Sequence, residues 1–351
     1  MKITFFEMED REKLVLLDLY PAAAFESIRE PLDRNNAAQY ADAEIISCFI
    51  YSDLSAEVLQ KFEKLKMIAT RSSGFDHIDT EYCRANGIIV STVPAYGEHT
   101  VAEHVFALLL SLSRHIPEAV QRTREGSFSF KGLEGFDLYE KTIGIIGTGS
   151  IGLHTAKIAK GFGMKVLGFD ISPRNKMADE IGFSYVDLKE LLKNSDIITL
   201  HVPGGVLTEF LLSEDEFLLM KEGVVIINTA RGSLINPKAL LQALNEGKVK
   251  AAGLDVLPEE PLIREEAELL RASFVQKHAL EALWVDHALT RHKNVIVTPH
   301  MAFYTREAVE RILITTHENV TCFLNGKPQN VVNTGFLRPV ELATELHQPL
   351  T

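Results

Sequence analysis

The sequence predicts an α/β protein with two doubly wound, parallel-sheet domains. The chain has 351 residues, which at about 150 residues per domain suits two compact domains. Short apolar runs rich in β-branched residues alternate with segments of helical spacing, which is the pattern of βαβ units. The alternation occurs in two successive series, and the second begins with a run that ends in glycines. Each series is therefore expected to form a parallel sheet covered by helices.

The composition excludes several classes of partner and site. The 36 basic and 48 acidic side chains give a net charge of −12, which disfavours binding to nucleic acid or to anionic membranes. The three cysteines lie far apart without a CxxC pair, so neither a disulfide framework nor a thiolate metal site is expected. The histidines lack metal-ligand spacing, and no metal is predicted. The sequence shows neither a signal-peptide core nor an apolar run of about 18 residues, the length that a membrane-spanning helix needs. A cytoplasmic protein is therefore expected.

The first series predicts strands followed by a long helix over residues 100–116. Thr100, with Glu103 three residues later, has the pattern of a capping box at the start of that helix. The helix is apolar nearly all round, so we expect it to be buried between layers. The strands of this series are predicted at residues 3–7, 44–50, 67–72 and 87–93.

The second series consists of runs that are apolar on both faces. Strands of a parallel sheet that is covered by helices need this pattern. A last helix is predicted over residues 306–324. The strands of this series are predicted at residues 142–147, 165–170, 196–202, 224–229, 251–256 and 294–300.

A G-x-G-x-x-G pattern stands where the second series begins. It is formed by Gly147, Gly149 and Gly152, directly after a predicted strand and at the start of a predicted helix. In that context the N–H groups of residues 149–151 would point at the pyrophosphate of a dinucleotide. The pattern alone is weak evidence, since such glycine triplets also occur as ordinary turns.

An acidic residue in the expected position strengthens this interpretation. Asp170 ends the next strand, 170 − 152 = 18 residues after Gly152, close to the spacing of about 20 for an acid that binds the adenosine ribose. Its carboxylate would repel a 2′-phosphate, and no arginine follows until Arg174. The sequence therefore predicts NAD as the cofactor in preference to NADP.

Polar residues follow the later strands of the second series. Ligands of doubly wound sheets bind beyond the carboxyl ends of the strands, so we expect these residues to converge on the nicotinamide end of the cofactor. Each also has a structural interpretation: Asp255 as a helix cap, Arg231 as a surface ion pair, and His300 as a core imidazole. The residues are His201–Val202–Pro203, Thr229–Ala230–Arg231, Asp255 and Thr298–Pro299–His300.

In this order, the motifs GTGSIG, FD, HVP, NTARG, GLDVLPEEP and TPH resemble those of the D-isomer-specific 2-hydroxyacid dehydrogenase family over nearly the whole chain. The resemblance implies an NAD-binding Rossmann domain, residues 101–299, inserted into a flavodoxin-like substrate-binding domain made of residues 1–100 and 300–351. We expect an NAD-dependent enzyme that works as a homodimer. The expected cofactor contacts are Gly147, Gly149, Ser150, Ile151, Gly152, Asp170, Val202, Pro203, Thr208, Thr229, Ala230, Arg231 and Asp255.

The resemblance assigns the catalytic roles to Arg231, Glu260 and His300. A guanidinium holds the carboxylate and carbonyl oxygens of a 2-keto acid with its fork of donors. Histidine is suited to deliver a proton to the developing alkoxide near neutral pH. Glu260 would orient the imidazole and raise the pKa of His300. Glu259 is adjacent, and only the family alignment selects Glu260.

The resemblance also implies a small substrate pocket. The backbone amides of Ser73 and Gly74 would receive the substrate carboxylate, while Tyr96, Phe303 and Tyr304 would wall the pocket, together with Arg231 and His300 as the remaining substrate contacts. Pyruvate is therefore the expected keto acid, with D-lactate as its product.

Other functions remain open at this stage. A glyoxylate or hydroxypyruvate reductase, or an enzyme for bulkier 2-keto acids, would share these motifs. A corepressor-like protein that senses NAD belongs to a different class and resembles the same fold. Formate dehydrogenases place a glutamine where Glu260 stands, which argues against them. A long helical segment at residues 264–292, with the sole tryptophan Trp284, departs from many members of the family and leaves the pocket shape open.

Overall fold

A computed structural model describes residues 1–20, 25–258 and 277–333. The chain divides into two compact units. The first unit comprises Met1–Tyr96 together with Thr305–Thr351, and the second comprises Gly97–Tyr304. The first unit thus contains both ends of the chain, and the second is an insertion.

The strands are short, and within each sheet neighbouring strands run parallel. They are β1 (Ile3–Phe5), β2 (Phe25–Ser27), β3 (Ile45–Cys48), β4 (Met67–Thr70), β5 (Ile89–Ser91), β6 (Thr142–Ile146), β7 (Lys165–Phe169), β8 (Ser184–Tyr185), β9 (Ile197–Leu200), β10 (Val224–Asn228), β11 (Val249–Leu254) and β12 (Val295–Val297).

The helices lie between strands along the chain, except the last, which follows β12. They are α1 (Asp10–Leu19), α2 (Ala56–Leu59), α3 (Thr80–Ala85), α4 (Glu98–Ser113), α5 (Ile116–Arg124), α6 (Ser150–Gly161), α7 (Asn175–Ile181), α8 (Leu188–Asn194), α9 (Glu214–Leu219), α10 (Pro237–Glu246), α11 (Lys277–Arg291) and α12 (Arg306–Leu324). No helix in the described ranges is long and apolar enough to cross a membrane.

The sheet of the first unit has the strand order β2-β1-β3-β4-β5, which is the flavodoxin-like order. Consecutive residues of its central strands are buried on opposite faces. Ile45 and Met67 pack in one core cluster, while Ile46 and Ile68 pack in the other. A sheet with apolar residues on both faces has to be covered on both sides, which explains the unbroken apolar runs of the sequence.

The sheet of the second unit has the order β12-β11-β10-β9-β6-β7-β8, the doubly wound order of a Rossmann domain with an additional edge strand. The chain adds β7 and β8 on one side of β6 and then adds β9 to β12 on its other side, so the strand order reverses between β6 and β9. Helix α4 packs closely on this sheet, because a Cβ on Gly253 would lie 3.0 Å from the Cβ of Leu108. The expected fold class is confirmed in both units.

The observed elements differ from the predicted ones mainly at their ends. Every predicted strand is present: β11 has its predicted length but lies two residues earlier in the chain, and the others are shorter than predicted. The short strands β2 and β8 were not predicted. The predicted capping box at Thr100 is wrong, because α4 begins at Glu98 with Gly97 as its N-cap. The helix ends at Ser113 because His115 adopts a left-handed conformation with φ 51°. Helix α12 has the predicted bounds. Helix α11 (Lys277–Arg291) forms the second part of the helical segment predicted at residues 264–292, and residues 264–276 lie outside the described residues.

Candidate active site

The three glycines of the loop after β6 meet different surroundings. Gly147 has φ +93°, and a Cβ there would lie 2.7 Å from the carbonyl carbon of His201. A Cβ on Gly152 would lie 2.1 Å from the carbonyl oxygen of Gly147. Nothing stands within 4 Å of the Cβ position of Gly149. The first and third glycines therefore allow close packing, and the second leaves backbone open to an incoming group.

Helix α6 points its amino end into this open space. It begins at Ser150, so Ser150 and Ile151 lie in the first turn, where N–H groups have no partner within the helix. The partial positive charge of a helix amino end attracts phosphate oxygens. The loop and the helix together form a cradle of the size and polarity that a pyrophosphate needs.

Asp170 follows β7 and is held by the loop. Its Oδ2 accepts hydrogen bonds from the Thr148 amide (2.6 Å) and hydroxyl (3.0 Å), and its Oδ1 accepts one from the Ser172 amide (2.8 Å). Burial raises the pKa of Asp170, but these hydrogen bonds outweigh burial and hold the pKa below its ordinary value. The carboxylate is therefore charged at neutral pH and fixed in place. Thr148 was not among the predicted residues.

The segment after β9 supplies a neutral surface. Burial lowers the pKa of His201 to about 3, so its imidazole is uncharged and cannot serve as the proton donor near neutral pH. Val202 and Pro203 follow directly. The hydroxyl of Thr208 donates to the carbonyl oxygen of Pro203 (2.7 Å), which leaves that hydroxyl only as an acceptor for a ligand.

The turn after β10 is shaped by Asn228, which was not predicted. Its side-chain amide donates to the carbonyl oxygen of Arg231 (2.9 Å), and its Oδ1 accepts from the amide of Ala230 (3.0 Å). The Arg231 guanidinium donates through Nη1 to the Ala230 carbonyl oxygen (2.8 Å). The hydroxyl of Thr229 is buried and has no hydrogen-bond partner in the described part of the chain.

Glycines on either side of Arg231 set its position. A Cβ on Gly204 would lie 3.1 Å from Cγ of Arg231, so the arginine stem packs against bare backbone. A Cβ on Gly232 would lie 2.1 Å from the carbonyl carbon of Leu257. This explains the glycine of the NTARG motif, because only glycine lets the chain after β11 pass so close to the turn.

Asp255 holds the segment that carries His300. Its Oδ1 accepts from the Thr298 hydroxyl (2.5 Å) and the Met301 amide (3.0 Å), and its Oδ2 accepts from the Ala302 amide (2.8 Å). The side chain is 1% exposed. Burial raises the pKa of Asp255, but the hydrogen bonds outweigh it and the pKa is lowered. The charged carboxylate thus fixes the backbone on both sides of His300.

His104, on α4, completes this buried cluster. Its Nε2 lies 3.1 Å from the hydroxyl oxygen of Thr298 and 3.5 Å from Oδ1 of Asp255. His104 was not among the predicted site residues. No local signal could have revealed it, because His104 and Thr298 are 194 residues apart.

His300 lies directly after this anchor in an uncommon backbone conformation. Its φ is 52°, and its amide donates to the carbonyl oxygens of Asp255 and Thr298, both at 2.9 Å. Left-handed conformations of non-glycine residues concentrate at functional sites, where the surrounding structure imposes them. The rings of Phe303 and Tyr304 follow, with centroids 5.7 Å apart in an edge-to-face arrangement. Glu260 and Glu259 lie outside the described residues.

The remaining predicted residues belong to the first unit. Ser73 and Gly74 follow β4, and within the described residues their amides donate no hydrogen bond. Arg71, two residues before Ser73, is buried. Its guanidinium anchors the loop by donating hydrogen bonds to the carbonyl oxygens of Phe6 (2.8 Å) and Glu7 (2.7 Å). These amides are therefore available to an anion. Tyr96 is half-buried, and its carbonyl oxygen accepts from Nε of Arg311 (2.7 Å).

These features fit a dinucleotide. The space beside Gly149, the free first turn of α6 and the fixed carboxylate of Asp170 match pyrophosphate and ribose, and the unpartnered hydroxyl of Thr229 lies at the strand end where the nicotinamide half is expected. Within the second unit the predicted residues all follow the carboxyl ends of β6, β7, β9, β10, β11 and β12.

Comparison with known proteins is decisive. Residues 106–302 match the profile of the D-isomer specific 2-hydroxyacid dehydrogenase NAD binding domain. The chain belongs to the D-isomer-specific 2-hydroxyacid dehydrogenase family. The predicted family, the NAD cofactor and the enzyme class are thereby confirmed, and the protein is an NAD-dependent 2-hydroxyacid dehydrogenase.

Relatives match this dehydrogenase along almost its whole length. A 2-hydroxyacid dehydrogenase homolog of Haemophilus influenzae is 37% identical over 339 residues, 95% of this chain and 99% of the relative. The D-lactate dehydrogenase of Escherichia coli is 37% identical over 333 residues, 93% and 98% of the two chains. The structure of Aquifex aeolicus D-lactate dehydrogenase with NAD and lactic acid has a TM-score of 0.84 at 34% identity, covering 95% of this chain and 100% of that one.

Proposed function

We propose that this dehydrogenase reduces pyruvate to D-lactate. Support comes from the segment after β12, where His300 is followed within a few residues by the packed rings of Phe303 and Tyr304. Bulky aromatic side chains beside the reacting carbon favour a methyl group over a branched or aromatic one. Similar proteins include D-lactate dehydrogenases, one of them seen with lactic acid.

The proposed roles of the residues follow from their chemistry. Arg231 binds the carboxylate and the carbonyl oxygen of the keto acid, and the free amides of Ser73 and Gly74 bind the carboxylate. When NADH is bound, its nicotinamide supplies the hydride. His300 donates a proton to the alkoxide oxygen, and Glu260 orients the imidazole. Asp255 and His104 hold the backbone of the His300 segment.

A substrate panel tests this proposal. We expect the highest kcat/KM with NADH for pyruvate among glyoxylate, pyruvate, hydroxypyruvate and phenylpyruvate, and the product should be the D-isomer. Replacing Phe303 and Tyr304 with alanine should narrow the gap between pyruvate and phenylpyruvate. A wild-type preference for phenylpyruvate would contradict the small pocket, and L-lactate as the product would contradict the proposed stereochemistry.

We also propose that the protein works as a homodimer in the cytoplasm. The compartment rests on the sequence alone. Phe128 and Phe130 are 84% and 88% exposed, and Ile116 and Val120 on the nearby helix α5 are also exposed. Exposed apolar side chains grouped along one stretch of chain favour a protein partner, here a second copy. Sedimentation equilibrium should give a dimer for the wild type and a smaller species for Phe128→Ser/Phe130→Ser.

A further inference from the structure

A cavity lies in the second unit at the edge of the sheet opposite to the candidate active site. It has a volume of about 150 Å³ and opens to solvent. The end of α4 and the amino ends of β11 and β12 border it, and its apolar lining includes Leu112, Phe136, Val295 and Ile296. An apolar cavity of this volume accommodates a single six-membered carbon ring.

Two lysines give the cavity a positive rim. Lys250 and Lys293 both line it, and within the described residues neither ammonium group forms an ion pair. Nζ of Lys250 stands 4.7 Å from the centre of the Phe136 ring. Glu118 also borders the cavity, but it is paired with Arg122 (2.6 Å). On a chain with a net charge of −12, the two lysines form a local site for an anion.

We propose that this cavity is an effector site for a small aromatic carboxylate. The ring of the ligand occupies the apolar lining, and its carboxylate accepts hydrogen bonds from Lys250 and Lys293. A wholly apolar ligand would fill the lining without using the two ammonium groups, and an inorganic anion would leave the lining unfilled. The combination of ring and carboxylate satisfies both parts of the cavity.

The three elements around the cavity also hold the His300 segment. Helix α4 carries His104, β11 leads to Asp255, and β12 leads to Thr298; these side chains form the buried cluster at the other end of the same elements. From Lys250 to Asp255, the strand spans roughly 17 Å at about 3.3 Å per residue. A ligand between α4 and the two strands therefore biases the packing on which the position of His300 depends. This step rests on the proposed role of His300.

Calorimetric titration with benzoate tests the binding site without any turnover. We expect the Lys250→Gln/Lys293→Gln variant to bind benzoate at least tenfold more weakly than the wild type. Lys189→Gln removes an exposed charge outside the cavity and should leave the affinity unchanged. Ser111→Trp, which fills the cavity from its border, should also abolish binding. Affinity that persists in the double variant, or that is lost in Arg231→Gln, overturns the proposal because benzoate would then bind elsewhere.

The imidazole signal of His300 tests the coupling. In proton–carbon NMR spectra, assigned by its loss in His300→Gln, this signal should shift on benzoate addition in the wild type and stay fixed in Lys250→Gln/Lys293→Gln. Binding without a shift of the signal overturns the effector role. Neither measurement uses a keto acid, so a wrong substrate assignment shows in the substrate panel and a wrong effector site shows here.

Discussion

The hydroxyl of Thr298 donates a hydrogen bond to Oδ1 of Asp255, with 2.5 Å between the two oxygens. This contact joins the ends of β11 and β12. The same carboxylate accepts hydrogen bonds from the amides of Met301 and Ala302, which follow His300 in the chain. The position of His300 thus depends on one buried charge.

Replacing Asp255 with asparagine should destabilise the protein by about 1–3 kcal/mol and lower kcat. The amide nitrogen of asparagine cannot accept, so at least one buried donor is left without a partner. Denaturant unfolding and steady-state kinetics measure the two effects. Asp18→Asn, at an exposed position of α1, removes the same charge and should change the stability by less than about 0.5 kcal/mol.

The stability difference between wild type and Asp255→Asn should depend on pH. The pKa of Asp255 is lowered in the folded state. Its contribution to the free energy of unfolding is therefore fully present above its pKa in the unfolded chain, about 3.9, and is lost as pH falls through the folded-state pKa. The two unfolding curves should therefore converge at acid pH. A difference that stays constant to low pH would show that the charge of Asp255 does not carry the effect.

Two glycine variants should separate folding from cofactor binding. Gly152→Ala places a Cβ 2.1 Å from the Gly147 carbonyl oxygen. The free energy of unfolding of this variant should therefore be lower by about 2 kcal/mol or more. Gly149→Ala meets no atom within 4 Å and should fold nearly as well as the wild type while binding NADH more weakly. Thermal unfolding and fluorescence titration with NADH give the comparison. Unchanged NADH affinity in Gly149→Ala would place the pyrophosphate elsewhere.

Asp170→Ser should lower kcat/KM with NADH and raise it with NADPH. The substitution removes a fixed negative charge that repels a 2′-phosphate, together with an acceptor for the ribose hydroxyls. Thr148→Val, which deletes one of the hydrogen bonds to Asp170, should show a smaller shift in the same direction. A wild type that already prefers NADPH would contradict this role of Asp170.

His300→Gln should reduce turnover by about 10²–10⁴-fold with little change in NADH affinity, because general acid catalysis contributes that much. Glu260→Gln should also lower kcat, because the variant loses the carboxylate that is proposed to orient the imidazole. Glu259→Gln serves as the matched control. If Glu259→Gln lowers kcat and Glu260→Gln does not, the two roles are exchanged.

Much of the site could be predicted because it follows the chain order of the second sheet. Gly147 and Asp170 come directly after a strand, and Arg231 and His300 come three residues after one. The apolar run of each of these strands is visible in the sequence. The carboxyl ends of parallel strands meet at one edge, so the order of strands along the chain brings these residues to a common side. Helix α12 was likewise predicted with its observed bounds, since Thr305 caps it at the start of the apolar period.

The sequence by itself determined the two parallel sheets, the dinucleotide loop and the strand ends that carry the candidate site, because each of these depends on local periodicity and turn residues. Only the tertiary structure decided that His104 reaches Thr298, that Gly149 faces open space while Gly152 packs against backbone, and that α4 starts before Thr100. These features depend on which segments pack together across the fold. Packing between distant segments follows from the summed shapes of many side chains and leaves no local pattern in the sequence.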